Sequence, residues 1–408
     1  MSAPIKRKKK SSWRFSKARI TQSFNSSQPG GRVGVSKVVQ CSGQTDTSNE
    51  LYATWKRKGQ TCPILENVTG ATSLYWMPSR LKLGTKNRMP TFINTLNYSN
   101  EDSLPATLTI SNNLEQLKVS DAKKAAEIHT AKTLTSIKKL GTNLTTFIDY
   151  CFYKCENLTS IPSSTSITTI GEYAFSGCKK LQGAVSFPNA KSIGVDAFAN
   201  CEKVTSINVQ NCEDRIPSEF ALKCTSLNSA DIRSAAIIGT SAFAQTAITS
   251  LGCTNNETTR ADNVQTISKQ SFSMCKSLVS VNLNKCIHID QYAFNGCTAL
   301  TTLNLTQPAG STIEFGTSAF AGCPLTGDIH LGNVSTIGNG AFAAASKDHA
   351  NFIFSNTAEL PALKSTNAFP NNANKNKWTI QFANDTIKAK AEKDKIWRQF
   401  KTRFTVAS

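Results

Sequence analysis

The sequence predicts a repeat solenoid joined to an irregular, basic N-terminal region. Three observations predict it: a phenylalanine recurs at a near-constant interval, a cysteine follows most of these phenylalanines, and most of the positive charge sits at one end. The stretch Ile170-Gly-Glu-Tyr-Ala-Phe-Ser-Gly-Cys-Lys-Lys-Leu181 sets the pattern. It returns as Ile193…Phe198…Cys201…Val204, as Ile267…Phe272…Cys275…Leu278 and as Ile289…Phe294…Cys297…Leu300. Self-similarity at such a period is the signature of a solenoid, because one turn cannot cover its own apolar face and must stack on the next.

Residues 1–40 open the chain as a basic extended arm, with Lys6, Arg7, Lys8, Lys9 and Lys10 followed by Trp13, Arg14 and Phe15. Residues 1–90 hold 17 Lys/Arg against 3 Asp/Glu, which is most of the net +19. The arm has no apolar periodicity and cannot bury enough surface to fold alone. It reads as a solvated tail, as an anchor threaded into an acidic or multi-subunit assembly, or as a phosphate-binding patch for nucleic acid. No apolar stretch follows it to make a secretory signal, and no run approaches the roughly 18 apolar residues of a membrane span. Residues 41–105 carry short aromatic runs, Leu51-Tyr-Ala-Thr-Trp55 and Leu74-Tyr-Trp-Met77, broken by Gly and Pro. They read as short strands in an irregular attachment region.

The solenoid is expected over 106–374. Leu108-Thr-Ile110 and Leu114-Glu-Gln-Leu117-Lys-Val119 alternate like strands, and the array phenylalanines then fall at 152, 175, 198, 220, 243, 272, 294, 320 and 342. Most intervals are 22 or 23 residues, and the longer ones hold inserts such as Asn255–Arg260, expected to be surface loops. Each Leu-x-x-Ile/Val/Leu-x-Leu/Val piece should form a short parallel strand on a concave face. Each Ala-Phe-x-x-Cys piece should form a short helical turn on the convex face with its ring inward, contributing about 2 kcal/mol by burial. Cys155, Cys178, Cys201, Cys224, Cys275, Cys297 and Cys323 form a column of small buried hydrophobes. Stacked turns could bring such sulfurs within disulfide reach, but the missing signal peptide favours free thiols. Residues 375–408 should close the array with a short helix from Ile387 to Trp397 and Phe400.

The period of 22–23 lies in the leucine-rich-repeat range. The unit Leu158-Thr-Ser-Ile161…Ile170-Gly-Glu-Tyr-Ala-Phe175-Ser-Gly-Cys178 resembles the BspA-like, Treponema pallidum-type leucine-rich repeat over about 130–370. Two features depart from the pattern: Leu227 follows its Phe by seven rather than six residues, and the repeats at Phe243 and Phe342 lack cysteine. The resemblance implies a cell-surface adhesin binding matrix proteins or other cells.

No catalytic constellation is present. The chain has no Gly-rich phosphate loop, no Gly-x-Ser-x-Gly elbow and no His-Glu-x-x-His, and its four histidines lie away from cysteines at metal-ligand spacing. An enzyme, a cofactor and a metal are therefore not expected. The solvent-facing strand positions Thr205, Asn208, Ser280, Asn282, Thr302 and Asn304 are small, neutral and hydrogen-bonding. They read either as a well-solvated sheet or as a broad recognition face, without the Tyr, Trp and Arg that anchor hot spots. The favoured function is a non-catalytic recognition protein. Its N-terminal region would hold it in a larger assembly made in the cytoplasm, such as a phage or viral particle, and its solenoid would face a cell-surface ligand. The alternatives are the adhesin and an intracellular scaffold using the arm on nucleic acid.

Overall fold

The structure, a computed structural model, describes residues 134–407 except 141, 143, 254–257, 344–345 and 371–377. Of 138–139 and 346–348 it gives the backbone alone, and before residue 134 only the backbones of short strands. The chain forms two compact units, Met1–Lys203 and Val204–Ser408.

Both units are built as leucine-rich-repeat solenoids with two parallel sheets. Each turn of the chain gives one short strand to a first sheet and one to a second, then passes through the Phe-bearing turn. In the first unit the second sheet runs through Thr95–Asn97, Gln116–Lys118, Thr146–Phe147, Thr169–Ile170 and Ser192–Ile193, with Phe147, Ile170 and Ile193 in register. Leu74–Trp76, Thr107–Ile110 and Ser136–Lys139 pair in parallel in the first sheet. The two-sheet pairing thus begins before residue 106, where the Phe-x-x-Cys signal is absent and a short aromatic run marks Leu74–Trp76 but not Thr95–Asn97. In the second unit the second sheet holds seven strands from Arg215–Ile216 to Ala362–Leu363.

The Phe-bearing piece, expected as a short helical turn, is a run of tight turns whose amides bond between coils. The Phe152 and Phe175 N–H groups donate to the Ala174 and Ala197 carbonyls of the next coil at 2.6 and 2.8 Å. Phe272, Phe294, Phe320 and Phe342 do the same to Ala293, Ala319, Ala341 and Ala368 at 2.7–2.8 Å. The residues two before and two after the Phe also donate across, as Tyr150 does to Glu172 O and Lys154 to Ser176 O. To aim these amides the backbone turns left-handed there, at Tyr150 (φ 59°), Lys154 (φ 52°), Tyr173 (φ 54°) and Gly177 (φ 78°). A non-glycine residue in that region costs about 1–2 kcal/mol, and the inter-coil bonds it permits offset the cost.

The rings point inward, fully buried, and stack along each unit. Phe152, Phe175 and Phe198 lie 5.1 and 5.0 Å apart, near parallel. Phe243, Phe272, Phe294, Phe320, Phe342 and Phe369 continue the motif in the second unit at 5.0–5.8 Å. Phe220 departs, meeting Phe243 edge-on at 73°. There Ala221, not Phe220, donates the inter-coil bond, to Ala242 O. The Ala-Phe order is reversed, so Phe220 fills the slot normally held by alanine. Counted from Cys224, Leu227 is in normal register, which accounts for the seven-residue spacing.

The cysteine column has a polar reason beyond its size. The thiols of Cys178, Cys201, Cys275, Cys297 and Cys323 donate at 3.1 Å to the Phe152, Phe175, Phe243, Phe272 and Phe294 carbonyls of the preceding coil. In the cysteine-free repeat at Phe243, Thr246 takes the slot, donating to Phe243 O at 2.8 Å. The described cysteines are free thiols, and all but Cys253 are buried. Burial pushes Cys178 up, Cys275 and Cys297 well up, and Cys212 and Cys286 up to about 12. A raised pKa means less thiolate and slower alkylation at neutral pH. Among the described cysteines, iodoacetamide at pH 8 should therefore label Cys253 first in the native protein, as read by peptide mass mapping. Equal labelling of Cys275 and Cys253 would contradict the packing.

The C-terminal segment adds two strands to the first sheet, Trp378–Phe382 and Phe404–Val406. Between them lies the α-helix Asp385–Lys393, whose first turn is capped by the Asn384 side chain accepting from Ile387 N at 2.9 Å. The helical stretch expected through Trp397 breaks at Asp394, whose carboxylate accepts from Ile396 N and Trp397 N and starts the 3-10 helix Trp397–Arg403.

Candidate recognition groove

The first sheet of the second unit carries the candidate site. Its strands run, neighbour to neighbour, Lys203–Asn208, Ser229–Asp231, Thr259–Arg260, Ser250–Gly252, Ser280–Leu283, Thr302–Leu305 and onward. The order departs from the sequence at one place: Thr259–Arg260 lies between Ser229–Asp231 and Ser250–Gly252, parallel to both. The end of the insert, expected as surface loop, is thus a strand. It is held by the Ala230 N–H donating to Thr258 O, the Ile232 N–H to Arg260 O and the Ala261 N–H to Gly252 O. Thr258 and Ser250 close the insert through their hydroxyls and amides at 2.8–3.3 Å. On the second sheet the same two coils pair directly, Ile237–Ile238 with Thr266–Ile267, so the extra strand exists on the first sheet alone.

Parallel register aligns the solvent-facing side chains in rows. One row is Asn208, Asp231, Arg260, Gly252, Asn282, Asn304 and His330. Beside it Ser206 aligns with Ser229, and Ser250 with Ser280 and Thr302. Thr205, Thr302 and Asn304 are exposed, and Asn208, Ser280 and Asn282 half-buried, while the alternating Val204, Ile207, Val209, Val281, Leu283, Leu303 and Leu305 are buried. The structure therefore brings Asn208, Ser280, Asn282, Thr302 and Asn304 into two adjacent rows, with Thr205 next to Ser206. The arm residues Lys6, Arg7, Lys8, Lys9, Lys10, Trp13, Arg14 and Phe15 lie outside the described residues.

Sequence reasoning missed the charged members. Asp231 accepts from Arg233 Nε at 2.9 Å and pairs with its terminal nitrogen. Arg260 donates from Nε to the Asp262 carboxylate at 2.9 and 3.1 Å and from a terminal nitrogen at 2.9 Å. In both pairs the partner sits two residues on, in the turn that follows the strand, and the turn folds it back onto the strand-end residue. These hydrogen bonds raise both arginines further above their already high range and fix the planar forks. An open depression of about 270 Å³ lies here, lined by Ser206, Ile207, Asn208, Ser229, Ala230, Asp231, Thr258 and Arg260. The Thr259 side chain faces the core, and its hydroxyl lacks a hydrogen-bond partner.

Among the described residues no group of three or more His, Cys, Asp and Glu side chains could hold a metal ion, and no helix is long and apolar enough to cross a membrane. A family model described as BspA type leucine rich repeat region matches residues 145–261 and 251–375, with 6 copies. Among solved structures, a leucine-rich repeat protein from Bacteroides ovatus is 16% identical, with a TM-score of 0.43 over 97% of this chain and 100% of that one. A leucine rich cell surface protein from Faecalibacterium prausnitzii is also 16% identical, with a TM-score of 0.38 over 77% of this chain and 83% of that one. The leucine rich repeat protein of T. pallidum is 19% identical, with a TM-score of 0.27 over 54% and 82%. No curated protein matches the chain.

Proposed function

The chain belongs to the BspA type leucine rich repeat family, and on that premise we propose that it is a non-catalytic recognition protein that binds a macromolecular partner through the first sheet of its second unit. One observation carries this reading. Among the described residues, the adjacent rows of that sheet bring a fixed arginine, Arg260, a carboxylate, Asp231, an amide, Asn208, and the Ser206 and Ser229 hydroxyls together at the site beside the inserted strand. Arginine held in a bidentate pair loses little freedom on meeting a partner, which makes it an effective anchor. The basic residues 1–105 are the attachment region in this reading, joining the protein to a larger assembly. The adhesin alternative places the same face on a cell surface, favoured by the family membership.

The reading is tested by site-specific photo-crosslinking in the cells that make the protein, with the probe at Asn208, Asn282 or Asn304 and, as control, at the exposed turn residue Lys180. Cross-links to one partner from the three sheet positions and not from Lys180 are expected. Equal capture at all four sites, or none at the sheet, would overturn it. Deleting the basic arm, residues 1–40, should release the protein from its assembly, and surface labelling of intact cells separates a particle from a cell envelope.

A further inference from the structure

Resting on the recognition reading, we propose that the cavity beside the inserted strand binds one neutral pyranose unit of a glycan carried by the partner. The site is an open depression of about 270 Å³, large enough to seat one six-membered ring with its other face to solvent. A pyranose presents a rim of O–H groups, each both donor and acceptor, on adjacent carbons. A site that reads such a rim needs short, fixed groups of both kinds.

The lining supplies them. The hydroxyls of Ser206 and Ser229 donate and accept, while that of Thr258 is held by Ser250 and frames the site. Asn208 Oδ1 accepts the Gln210 N–H at 3.1 Å, which orients the amide and reserves its N–H2 for donation. Asp231 and Arg260, opposite each other in register, place a carboxylate acceptor beside a guanidinium donor, suited to neighbouring hydroxyls of one ring. Neither side chain has to be ordered on binding, because Arg233 holds Asp231 and Asp262 holds Arg260.

The charge balance decides for a neutral sugar. The lining holds one arginine, Arg260, and one carboxylate, Asp231, each already paired within the chain, so the site offers an anionic ligand no excess of positive charge. Ile207 and Ala230 are 1% and 4% exposed, so the carbon surface of the site comes from the stems of its polar side chains, interleaved with their hydrogen-bonding groups. No aromatic ring lines the cavity, so stacking adds nothing and a single sugar binds weakly. Asn282 and Asn304, farther along the row, offer polar contacts to further units of the same glycan, and multivalent display raises the avidity.

The test is saturation-transfer NMR on the full-length protein with the methyl glycosides of glucose, galactose, mannose and N-acetylglucosamine, and with glucuronic and sialic acids as charged probes. Transfer to the ring protons of at least one neutral glycoside, and to neither acid, is expected. Ser229→Trp, which fills the cavity, and Arg260→Lys, which loses the fork, should each weaken that binding at least about tenfold. Thermal melts confirm that both variants fold, and Arg260→Lys keeps the test open if the larger substitution unfolds the chain. Absence of transfer from every neutral glycoside, equal transfer to the acids, or undiminished binding in folded variants would overturn the proposal. If NMR fails while cross-links still map to the sheet, the sugar assignment falls and the recognition reading stands. If the cross-links also map elsewhere, both fall.

Discussion

Phe272→Ala is expected to lower the unfolding free energy by about 3–5 kcal/mol, the range found when a fully buried aromatic is truncated. The ring is 0% exposed and stacked on both faces, 5.4 Å from Phe243 and 5.3 Å from Phe294. Its loss removes the burial of one large side chain and two ring–ring contacts, worth about 0.5–1.5 kcal/mol each beyond area. The cavity cannot close, because the backbone on either side is fixed by inter-coil hydrogen bonds at residues 270, 272 and 274. Nearest-neighbour coupling in a solenoid spreads the damage, so the denaturation curve should broaden as well as shift. A urea titration followed by fluorescence and circular dichroism measures both. A loss below about 1 kcal/mol would mean that the ring column is not a principal source of stability.

Gly194→Ala is expected to cost about 3 kcal/mol, at the upper end of what overpacking a well-packed interior costs. Gly194 does not need glycine for its dihedral angles. It needs glycine because a Cβ would come within 2.6 Å of the Gly171 carbonyl carbon and nearer still to Glu172 N and Cα. These are backbone atoms of the adjacent coil, and they cannot rotate away as a side chain would. Gly183→Ala separates the two roles of glycine. At Gly183 φ is +77° and nothing lies within 4 Å of the added Cβ, so only the left-handed strain of about 1–2 kcal/mol applies. Thermal melts of the two variants should show the larger drop for Gly194→Ala. The reverse order would mean that the coils are spaced more loosely at that corner than described.

Much of the fold was legible in the residues because its physics is periodic. A stacked coil has to bury the same positions each time, so Phe175, Cys178 and Leu181 recur as a unit. A strand alternates its faces, so Asn282 and Asn304 could be assigned to solvent from Val281 and Leu303 alone. The left-handed turns were not legible, because Tyr150, Glu219 and Met274 have no local preference for positive φ and are held there by hydrogen bonds between coils. The charged half of the groove was hidden for a different reason. In Leu227-Asn-Ser-Ala-Asp-Ile232 an alanine stands where the pattern expects a larger aliphatic, and the Phe220-Ala221 reversal shifts the count. The solvent position of Asp231 is then read only from its register with Asn208. Arg260 was harder still, since its two-residue strand exists only because neighbouring coils leave a place for it.

The central claim is that the coils are locked to each other around the buried rings, which holds the sheet rows as one rigid surface. Amide hydrogen exchange of the full-length protein tests it most directly. The amides of Phe175, Phe272, Phe294 and Phe320, which lie in turns, should exchange as slowly as those of the strands Ser280–Leu283 and Thr302–Leu305. Exchange of those turn amides at the rate of open loops, while the strands remain protected, would contradict it.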